Sequence, residues 1–77
     1  MSKTFSGKEI VHILSKYFGF TQIGISGSHV KMSKKSEGIK ITTIIPLHKE
    51  VFIGTFKSIL RQAQISSKEF IQKSLDS

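Results

Sequence analysis

Apolar residues recur along this chain in two rhythms. Ile10, Ile13, Leu14, Tyr17 and Phe18 follow the i, i+3, i+4, i+7, i+8 spacing that gathers one stripe on a helix. The start of that helix is written in several residues at once. Ser6 can cap, Glu9 three positions on completes a capping box, and Phe5 and Ile10 can form a hydrophobic staple across it. Gly19 stops it in the left-handed conformation that glycine tolerates. Then the period changes to two. Phe20 to Ile25 is rich in aromatic and β-branched residues and reads as a strand, with Gly24 marking a bulge or a close backbone approach. Ser26-Gly27-Ser28 forms a turn. Val30 and Met32 alternate with His29, Lys31 and Ser33, which puts the first pair on the core side and the other three on the opposite side.

Lys34-Lys35-Ser36-Glu37-Gly38 reads as the next turn. Ile39 to Ile45, dominated by isoleucine and threonine, is the strongest strand; Lys40 is exposed and Pro46 ends it, having no N–H to give a ladder. Leu47 to Ile53 is a connector that contains His48 and Lys49. Gly54-Thr55 opens a second helix with Phe56, Ile59, Leu60 and Ala63 on one stripe, while Lys57 and Arg61, four apart, share its exposed side. Ser66 and Glu69 make a second capping box with Ile65 and Phe70 as its staple, and Phe70, Ile71, Ser74 and Leu75 give a short final helix. The order is helix, three strands, helix, short helix. It predicts a single α+β domain over residues 1–77 in two layers, α-β-β-β-α with a short C-terminal helix. Helices cover one face of an antiparallel sheet, and the other face, with His29 and Lys31, stays open to solvent.

Charge sharpens this picture. Among 77 residues, twelve Lys/Arg stand against five Asp/Glu, a net charge of +7 and a pI near 10.0. Such a surface favours polyanions: nucleic acid first, an acidic protein second, an anionic membrane third. Lys31, Lys34, Lys35 and Lys40 fall on two adjacent strands and the turn between them, and with Lys57 and Arg61 they form the basic set expected to hold a nucleic-acid backbone. The chain has no cysteine, so a disulfide framework and a thiolate metal site are excluded, which suits a cytoplasmic location. No apolar run approaches the roughly 18 residues of a membrane span. The stretch Met1 to Phe5 has no apolar signal-peptide core behind it.

The candidate chemistry is narrow. No HExxH, paired carboxylates or Cys/His spacing suggests a metal, and no cofactor motif occurs. Ser28 adjoins His29, but strand neighbours point to opposite faces and no acidic residue is near, so a nucleophilic triad fails. Gly24-Ile25-Ser26-Gly27 has the GxxG form of a KH loop but joins strands rather than helices; what survives is that backbone amides there can approach a phosphate. His12, beside Lys8 and Lys16, reads as part of a solvated helix face. His29 is different. It follows a small-residue turn, lies on the wet side of its strand and is surrounded by lysines. Imidazole is suited to moving a proton at a ribose hydroxyl or at the leaving oxygen.

Gly27-Ser28-His29 at the start of the second strand, followed downstream by Gly54-Thr55-Phe56-Lys57-Ser58-Ile59-Leu60-Arg61-Gln62-Ala63, resembles the HicA-type mRNA interferase toxins. The segments Gly7-Lys8-Glu9-Ile10, Gly19-Phe20 and Pro46-Leu47-His48 fit the same family, so the resemblance covers nearly the whole chain. It implies a fold like the double-stranded-RNA-binding domain and cleavage of mRNA that blocks translation. It also implies a HicB-type antitoxin that covers the active site. The family's catalytic histidine falls on His29, and its glycine and serine on Gly27 and Ser28. The chain departs from the pattern at Ser26, where many members carry a basic residue, at Val30, where many carry a histidine or aromatic, and at Gln64, where the family has glycine.

The expected function is therefore that of a toxin acting as a metal-independent endoribonuclease, with His29 as its acid–base group. Gly27, Ser28 and the basic set would bind RNA, and the free toxin is expected to be a monomer. The rival is a non-catalytic RNA-binding module on the same surface; a basic adaptor for an acidic protein is a third reading. In the connector, Phe52 and Ile53 are either core packing beneath the second helix or an apolar anchor for the antitoxin.

Overall fold

The computed structural model describes residues 4–77; residues 1–3, part of the N-terminal stretch read above for signal-peptide character, lie outside the described residues. The order of elements is α1 (Gly7–Tyr17), β1 (Thr21–Ser26), β2 (His29–Ser36), β3 (Ile39–Pro46), α2 (Ile53–Ala63) and α3 (Ser67–Asp76). The strands form one antiparallel sheet in the order β1-β2-β3. This is the α+β architecture expected from the pattern.

Helix α1 starts as its sequence dictates. Ser6 Oγ accepts from the Glu9 amide at 3.0 Å, and Glu9 Oε1 accepts from the Ser6 amide at 2.9 Å, so two otherwise orphaned N–H groups are satisfied reciprocally. Gly7 then touches the end of β3. A Cβ there would collide with the Pro46 carbonyl oxygen and sit 2.8 Å from Leu47 Cα, so only glycine admits this approach.

The core fills the space between the sheet and the helices. Ile10, Ile13 and Leu14 of α1 and Phe56, Ile59, Leu60 and Ala63 of α2 meet Val30, Met32, Ile41 and Ile45 from the sheet. Thr43 is the polar exception at 1 % exposure. Its hydroxyl donates to the Ile59 carbonyl at 3.1 Å, with Gln62 Oε1 at the same distance, and Gln62 Oε1 also accepts from the Ile44 amide on the free edge of β3. That edge is thus partly closed by α2. Helix α3 is held chiefly by Phe70. Its ring, wholly buried, lies edge-on to Phe5 (5.2 Å) and Phe56 (5.3 Å) and stacks on Phe18 (6.4 Å). The stripe predicted for this helix is only half used: Ile71 is 45 % and Leu75 81 % exposed.

One further reading is corrected. Lys34, Lys35 and Ser36 belong to β2, and the turn is Glu37-Gly38 alone, with φ of 52° and 78°. Two consecutive left-handed residues are what a two-residue type I′ hairpin needs, and they let the ladder run to Ser36↔Ile39. The lysines look like loop residues because both faces of this strand end are polar. Only Lys34 points to the core side, where its ammonium finds two partners. Its Nζ donates to the Phe18 carbonyl at 3.1 Å and sits 5.2 Å from the centre of the Phe20 ring.

Candidate nucleic-acid interface

His29 is the first residue of the central strand, and a turn sets it there. Ser26 pairs with His29, so Gly27 and Ser28 form a two-residue connection. Gly27 has φ of 57° and is the only one of the two with positive φ, the sign pattern of a type II′ turn with glycine first. A Cβ built on Gly27 would meet nothing within 4 Å. Glycine is there for its backbone angle, and the ground beside the turn is open.

The register fills in the rest of the face. His29 stands between Ser26 and Pro46, Lys31 between Gly24 and Ile44, Ser33 between Thr21 and Thr42, and Lys35 opposite Lys40. All of these occupy the phase opposite to Val30, Met32 and Ile45, which are buried under the helices. The bulge at Ile23, where the register slips between Gln22 and Gly24, keeps β1 in step with this face. His29, Lys31, Lys35 and Lys40 are exposed, whereas Ser33, boxed in by its strand neighbours, is 5 % exposed. From His29 to Lys35 the strand covers about 20 Å at its usual rise, enough for several nucleotides. Lys35 and Lys40 lie directly opposite each other, an arrangement that costs stability unless an anion lies between them.

The basic set thus divides. Lys31, Lys35 and Lys40 share the sheet face with His29, Gly27 and Ser28 border it, and Lys34 is on the core side. Lys57 and Arg61 are exposed on α2, in the layer behind the sheet, where Arg61 Nη2 donates to Ser58 Oγ at 3.2 Å. Thr42 and Ile44, the latter 48 % exposed, also belong to the His29 face, although no motif in the sequence marks them. Counting the alternation outward from Lys40 would have found both.

The connector after β3 is pinned to the same end of the sheet. The Leu47 amide donates to the Ser28 carbonyl at 2.6 Å, and the Gly7 amide donates to the His48 carbonyl at 2.9 Å. Val51 is buried and bridges Phe5, which turns Phe52 and Ile53 outward at 68 % and 65 % exposure. Core packing for those two is therefore overturned. Ile53 instead helps to line an apolar groove with Phe5, Val51, Phe56, Ile71 and Leu75, on the helix side of the molecule. Among the described residues, no group of three His, Cys, Asp or Glu side chains could hold a metal ion, and no helix is long and apolar enough to cross a membrane.

Comparison with known families decides the class. Residues 7–65 match the family described as the HicA toxin of bacterial toxin-antitoxin systems. The chain belongs to the HicA toxin family. No curated protein matches it. Membership makes it a toxin whose partner is an antitoxin, and the matched span contains the entire sheet face described above. Phe5 and α3 lie outside that span. At Gln64, where glycine was expected of the family, the chain still enters the left-handed region with φ of 60° and closes α2 through hydrogen bonds to the Arg61 and Leu60 carbonyls.

Proposed function

We propose that this toxin is an endoribonuclease that cleaves mRNA across its open sheet face, with His29 transferring the proton at the scissile linkage. One observation carries the reading: His29 shares an uncovered sheet face with Lys31, Lys35 and Lys40 in a chain of the HicA family. The chemistry asks for little more. Lysines hold the phosphates electrostatically, the amides of the Gly27-Ser28 turn can approach the scissile group, and the imidazole exchanges a proton with the 2′-hydroxyl or the leaving oxygen. No step in this scheme calls for a metal. Thr42 and Ile44 add a hydroxyl and an apolar surface for sugar and base.

The partner is proposed to be a HicB-type antitoxin that covers this face, so that one interface blocks both RNA binding and cleavage. A domain of net charge +7 favours an acidic partner surface whose carboxylates take the places of phosphates at Lys31 and Lys40. The deciding experiment incubates purified protein and its His29→Ala variant with mRNA in the presence of a chelator. Strand scission by the parent and intact but bound RNA with the variant are expected. Salt-dependent binding by the parent without scission would instead make it an RNA-binding module.

A further inference from the structure

A single imidazole leaves transesterification half served. The 2′-hydroxyl must lose a proton as its oxygen attacks phosphorus, and the departing 5′-oxygen must gain one. Resting on the ribonuclease reading above, we propose that His48 is the second acid–base group, paired with His29 across the end of the sheet.

The backbone places it there. His29 is opposite Pro46, and the ladder is continued one step by the bond from the Leu47 amide to the Ser28 carbonyl. Extending that register one step further puts residue 48 near the Gly27 end of the turn, diagonal to His29. Directly opposed residues in an antiparallel pair are about 5 Å apart between Cα atoms and the strand rises about 3.4 Å per residue, so these two backbones are roughly 8 Å apart. Phase agrees with position. Ile45 is buried, Leu47 packs against the core, and His48 is exposed. Gly27 beside them carries no side chain, and its surroundings are open, which leaves room for a ribose and its phosphate.

The connector is also tied to the start of α1. Residue 48 is fixed by its carbonyl to the Gly7 amide, and Gly7 is itself a glycine because Pro46 and Leu47 press so closely on it. The result is a histidine on a clamped backbone beside the turn that presents the first histidine. The reaction then balances. One imidazole takes the 2′-hydroxyl proton as the O2′–P bond forms, and the other, as imidazolium, gives a proton to the 5′-oxygen as the P–O5′ bond breaks. The products are a 2′,3′-cyclic phosphate and a 5′-hydroxyl end, with no water or metal consumed.

The test compares His29→Ala and His48→Ala on two versions of one RNA oligonucleotide that the parent cleaves. The first has the natural linkage, and the second has sulfur in place of the bridging 5′-oxygen, a leaving group that departs without an acid. His48→Ala keeps the backbone carbonyl that Gly7 uses, so its melting curve and RNA affinity should match the parent. On the natural linkage each variant should lose about 10²–10⁴-fold in rate. On the sulfur linkage one of the two, the one lacking the acid, should recover most of that loss while the other does not. Parental cleavage by His48→Ala, or recovery by neither or both variants, overturns the pairing. If His29→Ala is dead and His48→Ala is not, only this inference falls. If the parent itself cleaves no RNA, the proposed function falls with it.

Discussion

Two exposed regions of this small domain are built on opposite plans. The open sheet face is polar, carries His29 and three lysines, and is ordered by strand register, so each side chain has a fixed neighbour. The groove beside α2 and α3 is apolar, and it exists because Ile53, Ile71 and Leu75 have no core left to enter once Phe70 has filled the gap between Phe5 and Phe56. The sheet face lies wholly within the span shared with the HicA family, whereas Phe5 and α3 lie beyond it. The contrast teaches how such a protein can separate tasks. Chemistry toward a polyanion belongs on the shared polar face, and recognition by a dedicated protein partner can use apolar surface at the family span's margins. If the antitoxin covers the first, as proposed, its apolar anchor is expected at the second.

The largest expected effect breaks that division at its polar end. His29→Ala should lower RNA cleavage by about 10²–10⁴-fold with an unchanged thermal melt, because His29 is exposed and supports no core residue. In the same assay a Leu75→Ala variant, altered in the groove, should cleave at the parental rate. Equal losses from both would mean that the two regions are not functionally separate.

Next in size is the joint that holds the sheet end to the helix layer. Gly7→Ala forces a methyl group against the Pro46 carbonyl and Leu47, so the joint must open. Overpacking of this kind costs about 1–3 kcal/mol, and in a domain of this size each kcal/mol lowers Tm by about 4–8 °C. Because Leu47 and His48 move with it, cleavage measured well below Tm should fall further than the unfolded fraction explains. A variant that melts early yet cleaves normally when folded would show that the connector position is irrelevant to the chemistry.

The apolar region gives the third test. Replacing Ile53, which lines the groove, and its exposed neighbour Phe52 together with alanine removes the two large apolar side chains turned to solvent at the start of α2. Anchors of this type contribute about 1–2 kcal/mol or more each to a protein interface, so antitoxin affinity should weaken by at least about tenfold while RNA cleavage persists. Calorimetric titration of antitoxin into the variant reads the effect. Unchanged affinity would move the anchor elsewhere, and simultaneous binding of antitoxin and RNA to His29→Ala would remove simple occlusion as the means of control.

Much of this is legible in the amino-acid sequence alone. The capping box at Ser6 and Glu9, the buried stripes of α1 and α2, the bulge by Gly24 and the outward phase of His29 and Lys31 are local patterns whose physics is contained in a few adjacent residues. What escaped depended on partners distant in sequence. Lys34 to Ser36 look like loop because their polarity is local information, while their membership of β2 comes from β3 and the Glu37-Gly38 turn. The outward turn of Phe52 and Ile53 follows from Val51 bridging Phe5, nearly fifty residues earlier. The nearness of residues 47 and 48 to the histidine turn is a tertiary hydrogen bond that no spacing rule announces.

The smallest effect separates two adjacent lysines and asks whether the face, rather than the charge, binds RNA. Lys35 stands on the His29 side opposite Lys40, while Lys34 lies on the core side with its ammonium at the Phe18 carbonyl. Sequence alone treats them as equivalent. Removing one lysine–phosphate pair should flatten the dependence of log affinity on log salt by roughly 0.7 for single-stranded RNA. Lys35→Ala should therefore flatten the slope by about that amount and relieve its repulsion with Lys40, leaving stability equal or slightly improved. Lys34→Ala should keep the parental slope and reduce stability, since a hydrogen bond and the cation–π contact of its ammonium with the Phe20 ring disappear together. Salt titrations of RNA binding beside thermal melts of the two variants distinguish them. Equal slopes would mean that RNA feels only the net charge of the domain, and a flattening by Lys34→Ala instead would place the groove on the helix side.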